Sequence, residues 1–181
     1  MGPLTYSLCQ KPIIGPIMWI LTLCAFPPLF SGEPINLNKA GATVIRSFTV
    51  PVEKSYPLAV TFEFPSVESR LNDQIVGDRF SENCQGIIRY DEIPEIKRHG
   101  LGLPIPFKAI VRKAADRSIV IDQTFESLCE TSSNGTNAKT RTIGWLALPT
   151  GNYIIEVTNL QVQPNLTDVN TTISLYGGHG K

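Results

Sequence analysis

The sequence predicts an all-β fold: an immunoglobulin-like antiparallel β-sandwich of about seven to eight strands with one short helix. Three observations point there. Short stretches of alternating apolar and polar residues recur along the chain at hairpin-like spacing. Fourteen prolines and fourteen glycines among 181 residues suit many short strands and turns, and do not suit a helical bundle. Finally, LPTGNYIIEVTNL (148–160) sets a tyrosine two residues after a turn glycine, just where a strand begins. In immunoglobulin-like sandwiches such a tyrosine turns its ring into the core, and its hydroxyl bonds backbone at the crossover corner. Gly151 and Tyr153 are read as that corner, a structural role.

Residues 1–32 are a different material. They hold no Asp, Glu or Arg and a single lysine, Lys11, followed by the nearly continuous apolar stretch 13–30 and then Ser31-Gly32. A charge, an apolar run and small residues are the order of a secretory signal peptide. Pro16 interrupts the run and Pro27-Pro28 end it, so an uncleaved N-terminal anchor is the alternative reading. Cys24 in LTLC raises lipoprotein processing, although the bulky Leu23 before it does not suit that. Residues 33–181 are expected to form one β-sandwich domain, with no internal repeat and no second unit.

The elements follow in order. ATVIRSFTVPVEK (42–54) alternates, but Arg46 breaks its apolar side, which marks an edge strand that tolerates Pro51. YPLAVTFEF (56–64) places Leu58, Val60, Phe62 and Phe64 on one face and Ala59, Thr61 and Glu63 on the other. SVESRLNDQIVG (66–77) changes period: Val67, Leu71 and Ile75 recur at four-residue spacing, so an amphipathic helix is expected, capped by Ser66 and ended by Gly77. Residues 78–104 are irregular, with a brief strand expected in GIIRY. IPFKAIVRK (105–113) and IVIDQTFESL (119–128) form a hairpin across the AADRS turn. TRTIGWLAL (140–148) is a strand expected to turn Ile143 and Trp145 inward. The tyrosine-corner strand follows, and VNTTISLYG (169–177) closes the fold.

The chemistry-bearing residues are sparse. Lys plus Arg is 16 and Asp plus Glu is 16, so there is no electrostatic footprint for nucleic acid. Beyond the leader only Cys84 and Cys129 remain, an even number, and a disulfide between them suits an oxidising compartment. Such a bridge has a loop-entropy value of about 4 kcal/mol. Two separate buried thiols are the alternative. No nucleophile elbow is present, and GLGLP (100–104) lacks the Lys-Ser/Thr ending of a phosphate loop. Asp91, Glu92 and Glu95 cluster around Pro94 without Ca²⁺-loop spacing. No cofactor, metal or catalytic residue is expected. Sequons at Asn134, Asn165 and Asn170 matter only in a eukaryotic secretory route. The most promising surface is IPEIKRHGLGLPIPF (93–107), which mixes Ile96, Leu101, Leu103 and Ile105 with Gly, Pro and charges. Left exposed, those residues form a recognition patch; folded under, they cap one end of the sandwich.

The succession FTVPVEKSYPLAVTFEFPS, PIPFKAIVRK, DQTFESLC and KTRTIGWLALPTGNYIIEVTNL resembles a family of small proteobacterial envelope proteins with no assigned activity. The resemblance covers residues 48–160 and both later cysteines. It implies association with Rhs-type or other secreted antibacterial toxins, and so an immunity protein that waits in the periplasm and occludes a toxin. The expected function is therefore that of a non-enzymatic exported binding protein whose partner is another protein, toxin or effector. Contacts are expected from Arg98, His99, Leu101 and Leu103, and the membrane is met only through an uncleaved N-terminal segment. A periplasmic module for glycan or lipid is the alternative, and an enzyme with an unfamiliar site is the third possibility.

Overall fold

A computed structural model of the protein describes residues 28–78, 90–134 and 137–177. Nine strands lie in these residues: β1 (Phe30–Pro34), β2 (Thr43–Val50), β3 (Lys54–Glu63), β4 (Ile105–Lys113), β5 (Ile119–Ser127), β6 (Ser132–Asn134), β7 (Ala138–Leu148), β8 (Gly151–Asn159) and β9 (Asn170–Leu175). They form a five-stranded sheet, β1-β9-β3-β7-β6, and a four-stranded sheet, β2-β8-β4-β5. Every strand pair is antiparallel. The expected sandwich is present, with its sheets divided five and four and its first strand paired to its last. The order differs from the four-plus-three arrangement of an immunoglobulin constant domain.

Alternation decides which residues fill the space between the sheets. Leu58, Val60 and Phe62 of β3 face Phe107, Ala109 and Val111 of β4 and Tyr153, Ile155 and Val157 of β8, and all of them are buried. β2 is an edge strand, as Arg46 suggested, and Arg46 pairs there with Glu33 of β1. That ion pair bridges the two sheets along one open side. On the opposite side the Phe125 ring of β5 lies over Gly144 of β7, where a Cβ would collide with the ring.

Two sequence expectations need correcting. The 66–77 helix is a single turn, α1 (Val67–Leu71), and it ends at Asn72 rather than at Gly77. Its cap is as read: the Ser66 side chain accepts from the Ser69 N–H and Ser69 answers in a capping box. But Val67 is 43% and Leu71 64% exposed, so α1 has no buried face. Asp73 ends the periodicity by accepting the N–H groups of Ile75 and Val76, which turns the backbone away from helix. The second correction concerns Trp145, which points outward and is 62% exposed. The β3–β7 register slips between Leu58 and Ala59, which pair with Gly144 and Thr142. Ile143 is the extra residue of a β-bulge, and beyond it the parity of β7 reverses. Leu146 and Leu148 take the inward places and Trp145 the outward one. β1 (Phe30–Pro34) runs across position 32. Leu29 N–H donates to Leu175 O, and Gly32 N–H to Ser174 Oγ. Residues just before position 32 thus belong to the sheet. The GIIRY strand falls largely outside the described residues, and Tyr90 lies in a 3₁₀ turn, Tyr90–Glu92.

Among the described residues no helix is long and apolar enough to cross a membrane.

Candidate functional site

The tyrosine corner is made as the sequence predicts. Tyr153 Oη donates to Pro149 O at 3.0 Å, and its buried ring stacks on Phe48 with centroids 5.8 Å apart. Gly151 opens the strand with φ +159.

The other predicted residues converge on the segment 90–104, which covers one end of the sandwich. It contains the one-turn helix α2 (Glu95–Arg98). A second small core holds it down: Ile93, Leu101, Leu128 and Cys129 are buried together, with Tyr90 packed against them. Leu101 is 0% exposed, and this corrects its assignment to the contact surface. Arg98 is largely a brace. Its Nε donates to Ile93 O at 2.6 Å and its Nη2 to Asp91 O at 2.7 Å, and its guanidinium lies 5.1 Å from the Tyr90 ring centroid. What faces solvent is Ile96 at 88% exposure, Leu103 at 43% and His99.

Beneath this loop lies a device that the sequence reading missed. Arg141 of β7 points inward and is fully buried. Its Nε donates to Val76 O at 2.8 Å, and its Nη1 to Leu103 O at 2.8 Å and Ser127 O at 3.2 Å. Its Nη2 donates to Ile75 O at 2.5 Å and Val76 O at 2.6 Å. One guanidinium thus ties the 72–78 loop, the 99–104 loop and the end of β5 to β7. Burial pulls its pKa down to about 10, against the opposing pull of Asp73, Glu130 and Tyr90, so it remains a cation at neutral pH. Two residues earlier on the same face, Lys139 Nζ meets Asp73 Oδ2 at 2.9 Å, with both side chains nearly buried. The two loops touch backbone to backbone. Asp78 N–H donates to Gly100 O and Leu103 N–H to Ile75 O. A Cβ on Gly77, at φ +79, would come within 2.6 Å of Gly102 N and 2.7 Å of Gly100 O. Of the glycines in GLGLP, Gly102 meets the same approach from the other side: a Cβ there would collide with Arg141 Nη2 and Ile75 O.

A signal for Arg141 was available. Ile143 points inward, and stepping back by two along KTRTI puts Arg141 and Lys139 on the inward side as well. Two cations at core positions require buried carbonyls or carboxylates nearby.

A cleft of about 590 Å³ opens between α1 and the 3₁₀ turn Pro164–Leu166, with Asp73 among its lining residues. Asp73 is committed to Lys139 and to two N–H groups, so it brings no free carboxylate to the cleft. Among the described residues no cluster of three or more His, Cys, Asp or Glu could hold a metal. Cys84 lies outside the described residues. Cys129 is buried, at φ +65, and no described cysteine is a free thiol.

These features define a two-sheet all-β domain with one braced loop end. The chain belongs to the family described as a domain of unknown function, DUF5625, whose model matches residues 32–177. No curated protein matches it. Its fold is similar to that of a crystal structure from Sulfurospirillum deleyianum, at 18% identity and TM-score 0.60, over 83% of this chain and 98% of that one.

Proposed function

We propose that this protein is a non-enzymatic, exported binding protein that recognises another protein through its 93–103 loop. Its sharpest form is an immunity-type protein of the cell envelope that covers the working site of a secreted antibacterial toxin. The observation that carries the reading is Ile96, a bare isoleucine on a backbone held by Arg98, Arg141 and a small core of its own. An apolar side chain held out to water on a braced loop is costly unless a partner covers it, and a loop already ordered loses little entropy on binding. Leu103 and His99 are exposed on the same segment, and Arg98 joins them at its edge. A disulfide between Cys84 and Cys129 fits the same picture, because Cys129 lies in the small core under the loop.

The test is capture of the partner by the tagged full chain from its own host's envelope, followed by loop variants. Ile96→Asp and Leu103→Asp should each weaken capture about tenfold or more and leave the melting temperature in place. Leu101→Asp should instead unfold the loop end, because it buries a charge. Partner capture that survives both exposed-residue variants would sink the proposal.

A further inference from the structure

We propose that the outer face of the five-stranded sheet binds a neutral polysaccharide, with Trp145 as its stacking platform. The two outer faces of the sandwich differ. On the four-stranded sheet, ion pairs cross the strands: Lys108 with Asp122 at 3.1 Å and Arg112 with Glu156 at 3.2 Å. That is an ordinary solvated face. On the five-stranded sheet, the outward positions of β3 from Ser55 to Thr61, and those paired with them on β7 and β9, carry no charge at all.

What they carry instead is one aromatic row and rows of small hydroxyl residues. Trp145 pairs with Pro57, and Tyr176 N–H bonds Pro57 O on the other side, next to inward-facing Leu175. The next row pairs Ala59 with Thr142 and Ser174; Ala59 and Ser174 are buried, and Ser174 Oγ accepts from Gly32 N–H, so the accessible hydroxyls are those of Thr142 and, one row on, Thr61. Trp145 and Tyr176 are two strand spacings apart, about 10 Å, so a ligand touching both is longer than one sugar ring. Trp145 reaches this face only because the Ile143 bulge reverses the parity of β7. Bulges that re-aim a side chain are a recurrent feature beside functional sites.

The chemistry matches a pyranose chain. A sugar ring has an apolar C–H face, which an indole covers, and a rim of hydroxyls, which Ser and Thr can both donate to and accept from. The absence of charge suits a neutral ligand. A row of side chains reaching across three strands, from Trp145 over Pro57 to Tyr176, suits a chain passing over it, whereas small ligands take concave pockets. A protein partner fits less well, because Ser and Thr are under-represented among the residues that dominate protein contacts.

The probes are cellohexaose and the hexamer of N-acetylglucosamine, titrated calorimetrically into the full chain. Binding of at least one is expected, weakened about tenfold or more by Trp145→Ala and by Thr61→Lys, with both variants melting as the parent does. Ile96→Asp should leave sugar binding unchanged. Three outcomes overturn the proposal. One is no heat with either hexamer at millimolar concentration. Another is an unchanged affinity in both variants. The third is a loss of self-association or of protein capture in Trp145→Ala with no sugar binding in the parent, which would give the face to a second copy or to a protein.

Discussion

Tyr56 and Tyr153 make the same bond at two adjacent corners of the sandwich. Each hydroxyl donates to the carbonyl four residues before it, Tyr56 to Val52 at 2.5 Å and Tyr153 to Pro149 at 3.0 Å. The two corners are neighbours because β2 pairs with β8 in one sheet while β3 pairs with β7 in the other. Both crossings therefore leave the four-stranded sheet and the five-stranded sheet at the same end. Tyr56→Phe and Tyr153→Phe should each cost about 1 kcal/mol, the net value of one hydrogen bond. Thermal melts should show each variant down by roughly 2–4 °C. An unchanged melt for both would mean that water replaces the bonds at no cost.

Glycine position separates backbone strain from close packing. Gly32 and Gly102 both have positive φ, at +73 and +76. A Cβ on Gly32 meets nothing within 4 Å, whereas one on Gly102 runs into Arg141 Nη2 and Ile75 O. Gly32→Ala should cost about 1 kcal/mol, the conformational term alone. Gly102→Ala should cost on the order of 3 kcal/mol or more, because it pushes the two loops apart and disturbs the guanidinium. Urea titration of the pair checks the difference.

Arg141 should be among the most sensitive positions. Arg141→Met strands the carbonyls that the guanidinium now satisfies, and a loss of about 3–5 kcal/mol is expected. Arg141→Lys should recover little of it, since a point ammonium cannot reach carbonyls on three segments at once. A lysine variant as stable as the parent would show that charge, rather than the planar fork, holds this end.

Glu130 offers a pH test. Burial raises its pKa, with Lys139 and Arg70 pulling the other way and Asp78 and Asp73 adding to the rise. A carboxylate whose folded pKa exceeds its unfolded one costs stability once pH has risen above both, and costs nothing below the unfolded value. Glu130→Gln should therefore raise the urea midpoint at pH 7 and leave it unchanged near pH 4. A variant less stable than the parent at pH 7 would show that the attraction to Lys139 and Arg70 outweighs burial.

The strands of this fold were legible wherever alternation ran unbroken. β3, β4 and β8 show their inward faces in the sequence, and Pro149-Thr150-Gly151 before Tyr153 announces its corner. The equivalent corner at Tyr56 was less visible because Val52-Glu53-Lys54-Ser55 carries no glycine to mark the turn. Trp145 could not be placed by parity, since a bulge shifts parity without a local signature. Val67 and Leu71 kept helical spacing, but Asp73 captures two N–H groups and stops the helix after one turn. For the loop, Ile96, Leu101 and Leu103 are chemically alike in sequence. Only the contacts of Leu101 with Ile93, Leu128 and Cys129 tell which one is core.

The partners of β3 bear on the timing of folding. Leu58 pairs on one side with Gly144 and on the other with Leu175, both far downstream. As the chain leaves the ribosome, the strand at the centre of the larger sheet has no neighbour until β7 has been made, and lacks its second until β9 has been made. Such long-range pairing makes for slow folding. The larger sheet therefore closes only when synthesis is nearly finished, which leaves an interval in which the chain can be threaded through a narrow channel or captured by a chaperone.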